Sequence, residues 1–166
     1  MVFPAPATEV DDDAEIASES LVLEQRAGEV ESTADDFVRL VNSATATNQA
    51  KGSQLLRLVL RELHWTTLRR RQLSSLPTTL SHLTSFTLSG RLDAPFNGNT
   101  LARLIPPLSQ LKSLALRGID FSKHSTDGIT PPTFELRSLA LHDIPHLTAK
   151  HLRWLYVLAP HQESRC

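Results

Sequence analysis

Residues 83–88 read LTSFTL, and the same form, L-x-x-L-x-L, recurs as LLRLVL at 55–60, LKSLAL at 111–116 and LRSLAL at 136–141. The first leucines of the four copies, Leu55, Leu83, Leu111 and Leu136, lie 28, 28 and 25 residues apart. An apolar residue follows three places after the last leucine at Leu63, Ile119 and Ile144, and one place later at Leu92. A leucine-rich composition alone would scatter such triplets, so the near-constant period marks a repeated structural unit. The second half of each copy alternates apolar and polar, as a strand with one buried face does. Apolar clusters at helical spacing lie between the copies: Leu101, Leu104, Ile105 and Leu108 before the third, and Leu147, Leu152, Leu155 and Leu158 after the fourth. A strand-plus-helix unit of this size cannot bury its own apolar face, so neighbouring units must stack.

The segments LTSFTLSG, LKSLALRG and LRSLALHD resemble the leucine-rich repeat family, and the repeat lengths resemble its ribonuclease-inhibitor-like and F-box-associated members. The resemblance covers about residues 53–158. It implies an α/β fold, a short leucine-rich-repeat solenoid with a curved parallel sheet and helices on its outer side. It also implies a protein–protein interaction module that binds its partner on the sheet face, as the substrate-recognition part of an F-box-type ubiquitin ligase does. Residues 1–50 offer one convincing helix where an F-box needs three, so the resemblance is to a short or truncated member without that box. The chain departs from the family at the position three residues after the third leucine. Many members place Asn or Cys there, whereas this chain has Leu63, Arg91, Ile119 and Ile144.

The flanks divide the chain further. Residues 1–36 hold eleven acids and one base, a net charge of −10, while residues 37–166 hold sixteen bases and seven acids, a net charge of +9. A one-signed, aromatic-poor block reads as a solvated tail. Residues 1–31 are therefore expected to be a disordered acidic tail, with at most a transient helix around Leu21, Leu23 and Val30. The tail is expected either to hover over Arg57, Arg61 and Arg117 and weaken acidic partners, or simply to keep the body soluble. Ser32 followed three residues later by Asp35 has the spacing of a helix cap, with Phe37, Leu40 and Val41 recurring behind it. That predicts a capping helix over about 34–44 and a loop through NSATATNQAKGS, residues 32–52 forming one unit ahead of the repeats. Pro77, Pro106, Pro107, Pro131 and Pro132 lie where helices should stop, and residues 122–132 leave room for only a turn or a short 3₁₀ segment. The helix with Arg153, Trp154 and Tyr156 either caps the array or belongs to a longer one, and residues 159–166 are a C-terminal tail.

Between the leucines, the outward positions form columns across the repeats. The first is Arg57, Ser85, Ser113 and Ser138; the second is Val59, Thr87, Ala115 and Ala140; the third is Arg61, Ser89, Arg117 and His142. Beside them run Glu62, Gly90, Gly118 and Asp143. The small second column lets a partner approach, and the basic third column suits an acidic protein partner. These twelve column residues are the expected binding surface, although any one of them alone reads as solvated sheet.

Other chemistry finds little support in the residues. Arg69-Arg70-Arg71 is the densest basic cluster, which nuclear import, nucleic acid or the acidic tail could use. Neither a nucleic-acid module nor interleaved aromatics accompany it, so nucleic-acid binding, like GTPase regulation, ranks behind protein binding. His142, His146 and His151 lack the i, i+4 spacing of a helical metal pair. There is no G-x-S-x-G elbow or glycine-rich phosphate loop, and the one cysteine is Cys166. The expectation is a non-enzyme with no cofactor and no metal. No run approaches the ~18 apolar residues of a membrane span, and no leader is visible, so a cytoplasmic or nuclear location is expected.

Overall fold

The computed structural model describes residues 19–24, 33–123 and 132–156. In chain order the elements are β1 (Ser20–Glu24), α1 (Ala34–Ala50), β2 (Arg57–Leu63), α2 (Arg70–Thr79), β3 (Ser85–Gly90) and β4 (Phe96–Asn97), then α3 (Gly98–Leu104), β5 (Ser113–Arg117), β6 (Ile119–Asp120), β7 (Ser138–His142) and α4 (Ala149–Tyr156). The architecture is mixed α/β. Five strands pair in parallel in the order β1-β2-β3-β5-β7, and β4 and β6 form a separate two-stranded pair.

Each of the four leucine triplets supplies a strand, and the registers superimpose them. Leu58 lies opposite Phe86, Phe86 opposite Leu114, and Leu114 opposite Leu139. The alternate residues Leu58, Leu60, Phe86, Leu88, Leu114 and Leu116 enter one buried cluster with Phe37 and Val41 of α1, Leu76 of α2, and Leu101 and Leu104 of α3. Ile105 and Leu108 close the same core after α3. Burying each such side chain contributes roughly 1.5–3 kcal/mol, which is why the leucine positions recur so regularly.

A backbone motif joins each strand to the next. The Glu19 carbonyl accepts the N–H groups of Leu56 and Arg57 at 2.9 and 3.0 Å, and the Leu56 carbonyl accepts those of Thr84 and Ser85 at 2.8 and 3.0 Å. The Thr84 carbonyl accepts Lys112 and Ser113 at 2.9 and 3.0 Å, and the Lys112 carbonyl accepts Arg137 and Ser138 at 2.7 and 3.1 Å. One carbonyl thus serves two donors at every junction between neighbouring strands of the five-stranded sheet. At the other strand end Glu62, Gly118 and Asp143 take left-handed φ values of 53°, 60° and 48°.

Several expectations change. Ser20–Glu24 is a strand in register with β2, Leu21 opposite Leu58 and Leu23 opposite Leu60, where the charge pattern predicts a disordered tail or transient helix. The edge of β2 offers free backbone groups, and pairing satisfies them. The remainder of the acidic tail lies outside the described residues, as does most of the 122–132 segment. Helix α1 runs to Ala50 through the expected loop, and its cap is Thr33 with Asp36 in a reciprocal capping box, one residue later than Ser32 and Asp35. Thr33 Oγ1 accepts from the Asp36 N–H, and the Asp36 carboxylate accepts from the Thr33 N–H at 2.9 Å. That backbone N–H bond, reinforced by the Thr33 hydroxyl, holds the Asp36 carboxyl below the usual carboxylate range. Within α1, Leu40 is 44% exposed while Phe37 and Val41 are buried, so the inward stripe is narrower than expected.

Pro77 lies inside α2, which continues to Thr79, so this proline does not mark the end of the helix as expected. Leu92 is 64% exposed and does not take the apolar position after β3. Buried Phe96 on β4 faces Ile119 on β6, so the core is filled from further along the chain. Asn97, Gly98 and Asn99 read as loop in the sequence, but Asn97 caps α3 by accepting from the Asn99 N–H at 2.8 Å. In α4, Trp154 and Leu155 are buried and Leu152 is largely outside the core; Leu158 lies outside the described residues. His151, stacked on Phe121 at 4.6 Å, takes the inward place instead.

Candidate functional site

The column residues come together on the sheet face opposite the core. The first column is in register throughout, with Arg57 opposite Ser85, Ser85 opposite Ser113 and Ser113 opposite Ser138. The second column, Val59, Thr87, Ala115 and Ala140, is equally aligned. In the third, Ser89, Arg117 and His142 align, but an irregularity between Leu60 and Leu63 shifts Arg61 out of the row. The bulge coincides with the left-handed Glu62, which supplies the extra residue on β2.

A cleft of about 340 Å³ opens at the C-terminal ends of β2, β3, β5 and β7. Arg61, Glu62, Thr87, Ser89, Ala115, Arg117 and His142 border it. Six of the twelve expected binding residues are therefore at one concavity, while Arg57, Val59, Ser85, Ser113, Ser138 and Ala140 lie elsewhere on the same face. Val59 is only 1% exposed and Ser89 only 8%, so neither offers a side chain to a large partner as expected. Val59 sits between Val22 and Thr87 in the row and between Arg57 and Arg61 on its strand, which leaves it as floor.

The charge of the cleft is more balanced than the column suggested. Arg117 Nε donates to Asp143 Oδ2 at 3.0 Å, with both side chains about half exposed, and Glu62 borders the cleft beside Arg61. Such an exposed pair contributes only about 0–1 kcal/mol to stability, yet it reduces the free positive charge a ligand meets. Behind this rim, Arg91 donates through Nε to Asp93 at 2.9 Å and lies 3.2 Å from His64 Nδ1. The Arg91 guanidinium holds the Asp93 carboxyl below its usual range. Asp120, on β6, is likewise lowered by the Ser122 N–H that it accepts at 2.8 Å and by the Ser122 hydroxyl.

Sequence reading missed that the face gains a fifth strand. Ser20, Val22 and Glu24 extend the first and second columns and the Arg61 position, and Val22 is 54% exposed. The signal was present in residues 18–23, SESLVL, which fits the repeat with serine in place of its first leucine. Across five strands ~4.8 Å apart, the second column runs about 19 Å. It consists of Val22, Val59, Thr87, Ala115 and Ala140.

The three histidines do not converge: His142 is on β7, His146 occupies a left-handed turn with φ 60°, and His151 accepts the Thr148 N–H at Nδ1 from within α4. Among the described residues no three His, Cys, Asp or Glu side chains come together as a metal would need. No helix among them is long and apolar enough to cross a membrane. Comparison with protein-family models, with curated proteins and with solved structures finds no match for this chain.

Proposed function

We propose that the chain is a short leucine-rich-repeat solenoid acting as a protein–protein interaction module, with its partner on the sheet face. The observation that carries this reading is the cleft of about 340 Å³ on the helix-free face, bordered by small residues of the second column and charged residues of the third. Thr87 and Ala115 are small and only partly buried, so a partner's side chains reach the sheet between Arg61 and Arg117. Ionic groups of both signs at the rim favour a partner of mixed polarity, with carboxylates for Arg61 and Arg117 and a base for Glu62. The setting in ubiquitin ligation rests on the family resemblance alone.

The test is affinity capture from the native cell with the full chain and with Thr87→Arg/Ala115→Arg, in which two long cations fill the cleft. A protein retained by the unaltered chain and lost by the doubly substituted one, with the thermal midpoint of the two alike, supports the reading. Retention by both chains places binding elsewhere. Co-capture of ligase subunits would bring in the ubiquitin setting, and their absence would remove it.

A further inference from the structure

We propose a second docking site, on the helix side of the molecule: the cleft bordered by α2 and α3, whose ligand is an acidic peptide segment carrying apolar residues between its carboxylates. The cleft measures about 450 Å³ and is lined by Arg70, Leu73, Ser74 and Arg103. Arg70 opens α2 and Arg103 stands in the last turn of α3, so two guanidinium groups from different helices border one aliphatic floor. No lining residue is acidic. Four arginines outside the cleft have carboxylate partners, Arg39 with Asp36, Arg71 with Asp35, Arg91 with Asp93 and Arg117 with Asp143. Among the described residues, Arg70 and Arg103 form no such pair.

The helix geometry adds to the imbalance. A helix N-terminus carries partial positive charge, and Arg70 places a cation there, the unfavourable end for it. The first turn of α2 holds no acid of its own; the Asp35 carboxylate of α1 reaches that end, where it accepts from Gln72 Nε2 at 2.6 Å and pairs with Arg71, and Arg70 is left without a carboxylate partner among the described residues. An incoming carboxylate would relieve the repulsion between the two arginines and the mismatch with the helix together. The shape selects the kind of anion. Arg70, Ser74 and Arg103 are exposed and Leu73 is half-buried, so nothing encloses a small ion, whereas an extended segment can place carboxylates on both arginines and an apolar side chain on Leu73. The chain itself contains such a segment: residues 9–16 read EVDDDAEI, with five acids, no base, and Val10 and Ile16 for the floor.

The charge contrast with the sheet face makes this site the better one for acid. There, Arg117 is paired with Asp143 and Glu62 stands beside Arg61. The two sites lie on opposite sides of the sheet and can be tested separately. The probe is a fluorescently labelled EVDDDAEI peptide, titrated with the full chain at low salt and followed by anisotropy. Arg70→Ala/Arg103→Ala should weaken binding about fivefold or more, as the loss of two exposed charge pairs at low ionic strength would. Arg70→Lys/Arg103→Lys should keep at least half of the affinity, and the amide analogue QVNNNAQI should not bind. Both substituted chains replace exposed side chains, and an unchanged thermal midpoint verifies their folding. Binding that survives within twofold in Arg70→Ala/Arg103→Ala overturns the proposal. So does an equal loss in Arg61→Ala/Arg117→Ala, which would return acidic ligands to the sheet face.

Discussion

Replacing Gly118 by alanine tests the strand-end geometry on which the repeat stacking depends. Gly118 has φ of 60°, and a Cβ built there would stand 2.6 Å from the Gly90 carbonyl oxygen and 3.0 Å from its carbon. The left-handed conformation costs about 1–2 kcal/mol for a residue with a Cβ. Forcing a methyl group against fixed backbone costs about 1–3 kcal/mol more. Alanine's smaller unfolded-state entropy returns about 0.5–1 kcal/mol. The expected net loss is therefore about 1–4.5 kcal/mol, against the ~5–15 kcal/mol that holds a domain together. Gly90→Ala is at an ordinary φ, but its Cβ would stand 2.5 Å from the Gly118 carbonyl oxygen, 2.8 Å from the Phe96 nitrogen and 3.1 Å from the Phe96 Cβ, so its loss is steric alone and should be about 1–3 kcal/mol. Urea denaturation followed by the fluorescence of Trp65 and Trp154 reads both midpoints. If Gly118→Ala or Gly90→Ala stays within about 0.5 kcal/mol of the unaltered chain, the reasoning fails.

Glu62→Gly should stabilise the chain by about 0.5–1 kcal/mol, because relief at φ 53° exceeds glycine's extra unfolded-state entropy; a lower denaturation midpoint would contradict this. Thr33→Ala removes the α1 cap and should cost about 1 kcal/mol in the same assay. Trp65→Ala takes away a ring 5.2 Å from Phe37 and 5.8 Å from Phe96, and should cost about 2–4 kcal/mol, measured by thermal or urea unfolding. Asp36, Asp93 and Asp120 all have carboxyls held below the usual range, by the Thr33 N–H, the Arg91 side chain and the Ser122 N–H respectively. Their contribution is present above the unfolded value near pH ~4 and is lost as pH falls through the folded values, so the midpoint should drop on acidification below ~4. A midpoint that rises there would show the sign to be wrong.

The candidate face was legible because its residues alternate with the leucines that had to be buried. Once Leu58, Phe86, Leu114 and Leu139 are paired in register, the positions between them must share the other face. What was not legible was how many of those residues a ligand can reach. Arg61 left its row because Glu62 inserts a bulge, Arg117 found Asp143 across 26 residues of chain, and Val59 became floor through its cross-strand neighbours. Of the helix-side arginines, Arg70 was visible only as part of a basic run and Arg103 was not singled out, since nothing local brings Arg103 to Arg70.

The sequence by itself determined the strands of the four leucine triplets, the core residues Leu101, Leu104, Ile105 and Leu108 between the second and third of them, and the presence of a capped helix after the acidic stretch. Each of these follows from a local period or a three-residue spacing, which depends only on neighbours along the chain. Tertiary structure alone decided that α1 extends to Ala50 and that Phe96 rather than Leu92 fills the core after β3. Residues 18–23 carry the repeat pattern without its first leucine and inside an acidic stretch, and the free edge of β2 gives the backbone of Ser20–Glu24 its partners. Helix α1 continues through its weak NSATATNQA half and is closed by the Asn48 carbonyl, which accepts from the Lys51 and Ser53 N–H groups at 3.0 and 2.9 Å. Such pairings are made between distant segments, and the energy that selects them exists only when those segments meet.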